Sequence, residues 1–246
     1  MHFLGQVVDW FTTSSHWHGV GGIPHRMEQH VAMSVIVTLA AAAVALPIGV
    51  WLGHVGKGGV LAVNVSNIGR AVPSFAVLVI AEQLSGEIGA VPAFAALFLL
   101  AVPPMLTNAY TGVRGVDPEL REASEGMGLT GLQTLFRVEL PLALPLIMAG
   151  VRTAAVQVVA TATLAAVVAW GGLGRYIVDG LGARDDVQIF AGAVMVLALA
   201  FATEVVLGIV QRRLTPRGLR PTRPGPPDVV KNEPFVAAAV APGRPA

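Results

Sequence analysis

Asp117–Pro141, DPELREASEGMGLTGLQTLFRVELP, is a charged island between two long apolar runs, and its reading decides the fold. Asp117 is placed to cap a helix beginning at Pro118, because a proline at the first helical position gives up no hydrogen bond. Glu119 then lies at the positive end of the helix dipole. Gly126 and Gly128 predict the end of that helix and a tight turn needing positive φ. Thr130 and Gln133 follow at capping-box spacing and open a second helix, whose apolar residues are Leu132, Leu135, Phe136 and Leu140. Pro141 is expected to break the pattern, and the chain from Leu142 is membrane-like again. The stretch reads as a helix-turn-helix presented at a membrane surface, which suits docking rather than chemistry. An ordinary amphipathic loop and a DNA-reading helix-turn-helix compete with that reading.

The rest of the chain supplies the membrane. Of 246 residues, 54% are hydrophobic and only 13% charged, which excludes a soluble domain. Zero cysteines exclude a disulfide framework and cysteine metal sites. Residues 31–52 are uncharged and long enough to cross a hydrocarbon core of about 30 Å at about 1.5 Å per residue. Further spans are expected at 59–84, 88–113, 144–168 and 187–210, giving an all-α polytopic protein of about five transmembrane helices, with the loop 114–141 between the third and fourth. The GGLGRYIVDGLGARDD stretch reads as a glycine-rich loop too polar to span. Residues 1–29 form an N-terminal segment whose FLGQVVDWF fits an interfacial helix, and with no Lys or Arg before Arg26 it does not read as a signal peptide. The Pro-rich stretch 214–246 reads as a disordered tail.

Two motifs invite chemistry and fail. His16, Trp17 and His18 give a lone His-x-His with no further ligand at suitable spacing, so no metal is expected. Gly56-Lys57 superficially suggests a phosphate loop, but Gly58 stands where Ser or Thr is needed and Trp51 where the first glycine belongs.

Charge sets the orientation. Five spans put the termini on opposite sides. With the C-terminus cytoplasmic, eleven of the sixteen basic residues lie inside, three outside, and Arg70 and Arg152 within spans. The charged island is then cytoplasmic and the N-terminus external. Arg70, Arg152 and Glu204 are costly in a membrane, about 2.5–3.5 kcal/mol for an arginine at a helix centre on insertion scales. In a functional reading they face a water-accessible path or pair during alternation between inward and outward states; in a structural one they snorkel or are paired between helices. The polar residues Asn67, Ser74, Asn108, Thr153, Thr161 and Thr163 join them as candidates for pathway or interhelix contacts.

The island's spacing resembles the signature loop of binding-protein-dependent ABC importer permeases, which reads Glu-Ala-Ala, three residues, Gly, nine residues, Ile-x-Leu-Pro. Here it is Glu122, Ala123, Ser124, Gly128, Val138, Leu140 and Pro141, with Ser124 replacing alanine and Val138 isoleucine. Further matches are AVPSFA at 71–76, TNAYTGVRGVDP at 107–118, GVRTA at 150–154, TATLAA at 161–166 and GGLG at 171–174. Over about residues 28–181 these look like the branch that imports quaternary-ammonium compatible solutes: glycine betaine, choline, carnitine or proline betaine. Ala109 departs from the branch's usual threonine. Trp170 stands where a small residue is usual, and its bulk would narrow the external mouth.

The resemblance implies a type I importer permease fold and residence in the cytoplasmic membrane of a prokaryote. It implies a second permease copy or paralogue, ATPase subunits that grip the loop, and an extracytoplasmic solute-binding protein. ATP and magnesium would sit on the ATPase, so no cofactor and no catalytic residue is expected on this chain, and no nucleic-acid partner. No binding domain follows the last span, so the receptor is expected to be separate. Trp10, Trp17, Trp51 and Trp170 are too scattered for an aromatic cage, which places selectivity mainly in that receptor. A permease for another solute such as methionine remains the nearer alternative. A channel or membrane enzyme is the farther one, although no nucleophile with a base or metal set is visible.

Overall fold

A computed structural model describes residues 2–59, 64, 67, 69 and 71–215. The described helices are α1 (His2–Thr12), α2 (Ile23–Val55), α3 (Ser74–Ser85), α4 (Ala90–Arg114), α5 (Pro118–Gly126), α6 (Gly131–Thr134), α7 (Leu140–Thr161), α8 (Gly174–Ala183) and α9 (Asp186–Leu214). Short 3₁₀ turns lie at Ser14–Trp17 and Leu164–Ala166, and a π turn at Leu135–Glu139. No strand occurs among the described residues.

Four helical runs are long and apolar enough to cross a membrane: Ile23–Val55, Ala90–Arg114, Gly131–Ala166 and Asp186–Leu214. Of the expected span 59–84, the described part ends in the shorter apolar helix α3, which follows Pro73. Arg70 and residues 216–246 of the expected tail lie outside the described residues. α2 and α9 run past the spans read from sequence at both ends, whereas α7 ends at Thr161, short of the expected 168. α2 starts with a proline in its first turn, holds Pro47 inside, and ends at Gly56 with φ 70°. α9 is capped by Asp185, whose carboxylate accepts from the Val187 and Gln188 amides.

Two local expectations are corrected. Pro141 does not end a helix: the chain stays helical from Gly131 to Thr161. The π turn just before the proline, where the Leu140 amide reaches back to the Leu135 carbonyl, widens the ladder where a proline ring would otherwise collide with it. The stretch after the fourth span is not an irregular loop, because Gly174–Ala183 forms α8. Gly180 and Gly192 let α8 and α9 approach closely, since a Cβ on Gly192 would lie 2.9 Å from Tyr176 Cβ.

The bundle is built on small residues. Ala41, Ala45, Gly49 and Gly53 recur every fourth position of α2 and are all buried, making a smooth face that lies against α4. A Cβ on Gly49 would stand 2.7 Å from the Leu106 carbonyl oxygen, and one on Gly53 2.8 Å from that of Tyr110. Gly150 plays the same part between α7 and α4, with Asn108 Cβ 2.6 Å from where its own would be. Between lipid and helix there is little apolar driving force, so such close backbone approach supplies dispersion contacts that bulky side chains would prevent. Other large apolar residues point outward, including Leu197, Phe201 and Val206 of α9.

At the other end of the bundle α1 buries Val7 and packs Trp10 against α8 and α9, with Trp10 edge-on to Tyr176. Tyr176 donates its hydroxyl to the Gly21 carbonyl at 2.7 Å, and burial pushes its phenol up from the ordinary value. Here His30 is buried: its Nε2 donates to the Val159 carbonyl at 2.9 Å and its Nδ1 accepts the Leu173 amide at 3.2 Å. Gln29 Oε1 accepts the neighbouring Gly172 amide at 3.0 Å. Trp170 lines an apolar cleft of about 620 Å³ beside His25, Glu28 and Phe94.

Candidate coupling elbow and polar cleft

The charged island folds as a compact elbow, α5 and α6 joined at Gly128. Asp117 Oδ1 accepts the Glu119 amide at 2.9 Å with Pro118 in the first turn. α5 runs through Gly126, so Gly128 alone provides the left-handed turn, at φ 84°. The capping box closes on both sides: Gln133 Oε1 accepts the Thr130 amide at 2.9 Å, and Thr130 Oγ1 accepts the Gln133 amide at 3.4 Å.

The signature residues divide by exposure. Glu122, Ala123 and Gly128 face outward. Ser124 is buried and donates its hydroxyl to the Leu120 carbonyl at 2.7 Å, which explains how a serine replaces alanine there without an unpaired group. Val138, Leu140 and Pro141 are half-buried at the root of the elbow, Leu140 against Ala109, Val113 and Ala143. Around Glu122 the elbow leaves Leu120, Met127 (75% exposed), Leu132 and Phe136 (64% exposed) without cover. Acidic side chains thus lie beside an uncovered apolar patch.

One buried charged residue lies outside the set read from sequence. Glu139, in the π turn, is 1% exposed and sits between two cations or hydrogen-bond donors from separate elements. Its Oε2 is 2.7 Å from His54 Nδ1 near the end of α2, and its Oε1 is 3.0 Å from Arg121 Nε on α5. Glu139 thus ties the first helix of the elbow to α2. The signal was present: Leu135, Glu139, Ala143 and Ile147 recur every fourth residue and are all buried, an acid within an apolar stripe.

The candidate polar residues separate into groups. Ser74, Asn108 and Thr153 come together in a cleft of about 480 Å³, joined there by Thr107 and Gln157. Pro103 and Pro104 form part of its wall and lack the amides that would pair with the Leu99 and Leu100 carbonyls. Asn108 Nδ2 donates to the Pro104 carbonyl at 2.8 Å. Thr161 lies one turn beyond Gln157, to whose carbonyl it donates, and meets Ser74 in an adjoining recess. Thr163 is not in the cleft and donates to the Ala160 carbonyl at 2.8 Å. Asn67 is exposed and outside the cleft lining.

Arg152 and Glu204 form a direct ion pair between α7 and α9. Gln211 extends it, accepting from Arg152 Nη1 at 3.3 Å and donating to the Pro145 carbonyl at 2.9 Å. His16 and His18 of the lone His-x-His face backbone oxygens: His16 Nδ1 is 2.8 Å from the Trp10 carbonyl and His18 Nδ1 2.8 Å from that of Ser14.

Among the described residues the chain is an all-helical bundle with four helical runs long enough to cross a membrane and an exposed helix pair between two of them, the architecture of a multi-pass membrane protein. The chain belongs to the binding-protein-dependent transport system inner membrane component family, whose model matches residues 45–217. It is 40% identical over 200 residues to the glycine betaine/carnitine/choline transport system permease protein OpuCB of Bacillus subtilis (strain 168), covering 81% of this chain and 92% of that protein. It is 40% identical over 197 residues to the carnitine transport permease protein OpuCB of Listeria monocytogenes, covering 80% and 90%. It is 33% identical over 202 residues to the osmoprotectant import permease protein OsmW of Salmonella typhimurium (strain LT2), covering 78% and 91%. In fold it matches an inward-facing structure of the MetNI methionine ABC transporter with a TM-score of 0.66 at 22% identity, over 76% of this chain and 94% of that one. The fold is that of type I ABC importer permeases, and the protein is a multi-pass transport subunit, not an enzyme.

Proposed function

We propose that this chain forms the membrane path of an importer for quaternary-ammonium compatible solutes such as glycine betaine, carnitine or choline. Its elbow would be gripped by a separate ATPase, its outer face would receive solute from a separate binding protein, and a second permease copy or paralogue would complete the path. The observation that carries the docking reading is the elbow itself, which holds Glu122, Ala123 and Gly128 outward around an uncovered apolar patch. The excess of basic residues on one side supports a cytoplasmic elbow and C-terminus with the N-terminus outside. The named substrates of the relatives at 40% identity support the solute class, whereas the methionine transporter shares fold alone at 22%.

The path runs along the cleft of Ser74, Thr107, Asn108, Thr153 and Gln157. Its described lining carries hydroxyls, amides and no charged or aromatic side chain, so it offers hydrogen bonds without a strong hold on a cation. A path that binds weakly leaves selection to the receptor and lets solute leave at the far side.

Uptake of radiolabelled glycine betaine, choline, carnitine and methionine into vesicles holding the permease with its ATPase and binding protein tests this. ATP-dependent uptake of one of the first three, competed by the others and not by methionine, is the expected result. Uptake of methionine alone would overturn the solute class.

A further inference from the structure

We propose that α2 is the rod that carries movement of the elbow to the outer loop 170–173, with Glu139 as the positioning residue that fastens its inner end. The proposal rests on the reading that an ATPase grips the elbow. Three features support it.

At the inner end, Glu139 pairs with both Arg121 of α5 and His54 of α2, while Arg121 Nη2 also donates to the Val113 carbonyl of α4, so a displacement of α5 reaches α2 through the buried carboxylate and α4 through Arg121. Glu139 closes the π turn, where the regular ladder of the α6–α7 run is already interrupted and bending costs least. Along its length, α2 lies flush on α4 through Gly49 and Gly53, whose places admit no side chain that could turn to absorb a shift. At the outer end, both ring nitrogens of His30 are engaged: Nε2 faces a carbonyl and must carry the hydrogen, which leaves Nδ1 to accept the Leu173 amide. Gln29 holds the adjacent Gly172 amide, and a Cβ on Gly171 would collide with the Gln29 side-chain amide. The outer loop is therefore fastened to α2 at two successive residues, and Trp170 follows it. His30 and His54 stand about 36 Å apart along the helix at about 1.5 Å per residue, more than the hydrocarbon thickness of about 30 Å. One continuous helix thus links the elbow on one side of the membrane to the loop on the other.

The test is hydrogen exchange on the permease–ATPase assembly in lipid nanodiscs, with and without a non-hydrolysable ATP analogue and magnesium, read at two segments. Protection of residues 118–130 on ATPase binding reports the docking reading. Exchange at residues 171–175, which include the amides held by Gln29 and His30, reports the rod. In the wild-type chain the analogue should change exchange at 171–175 about fivefold or more, the lower range for coupled sites. Glu139→Gln and His54→Leu should each diminish that response while the elbow stays protected. His54→Leu removes the donor to Glu139 and leaves the Glu139–Arg121 pair in place, so it decides the matter if Glu139→Gln does not assemble. An unprotected elbow would sink the docking reading. A protected elbow with an unresponsive 171–175 segment in the wild type, or with an undiminished response in the variants, would overturn the rod.

Discussion

Gly128 is where a single substitution separates docking from folding. Its φ is 84°, and a Cβ added there would meet nothing within 4 Å, so any penalty comes from backbone conformation and not from collision. An alanine held in the left-handed region costs about 1–2 kcal/mol, and asparagine costs less. That lowers the equilibrium constant for the native turn about 5- to 30-fold. The bundle itself, secured by α2, α4 and α7, does not depend on the turn. Gly128→Asn should therefore transport nearly as well as wild type and Gly128→Ala less well. Gly128→Asp should fail, because it adds a negative charge to an exposed face that already carries Glu122 and Glu125. The assay is solute uptake in vesicles normalised to the amount of inserted permease. Uptake by Gly128→Asp at the wild-type rate, with the ATPase still bound, would show that this turn does not couple hydrolysis to transport.

Glu122→Ala leaves the fold of α5 untouched, since the side chain is exposed, and should weaken co-purification of the ATPase; unchanged recovery would count against its docking role. Arg152→Ala strands Glu204 beside α7 and should lower the melting temperature in detergent, whereas Arg152→Met combined with Glu204→Leu should restore most of it. A double variant no better than the single one would mean that the pair does more than brace α9. Gly53→Ala puts a methyl group 2.8 Å from the Tyr110 carbonyl oxygen and 2.9 Å from Val113 Cβ. It should destabilise the α2–α4 seam by about 1–3 kcal/mol from overpacking. A helix-propensity gain of about 1 kcal/mol over glycine offsets part of that. A melting temperature above wild type would show that the seam yields.

What could be read without coordinates was local in origin. Asp117, Pro118, Gly128, Thr130 and Gln133 act through bonds and torsions within a few residues, so their chemistry alone predicts the elbow, and both caps form as the spacing requires. The pairing of Arg152 with Glu204 needed the packing of α7 on α9, which no local rule supplies. That is why the sequence left those charges between a path and a brace. Glu139 was hidden for a more instructive reason. A helix that stopped at Pro141 would leave Leu135 and Glu139 in one element and Ala143 and Ile147 in another, with no common face. Once the π turn carries the helix through the proline, the four fall in one buried row, and the acid in that row must find partners from outside its own helix. It finds them on α5 and α2, so the residue that a misplaced helix boundary concealed ties the elbow to α2, beside the bond from Arg121 to the Val113 carbonyl of α4.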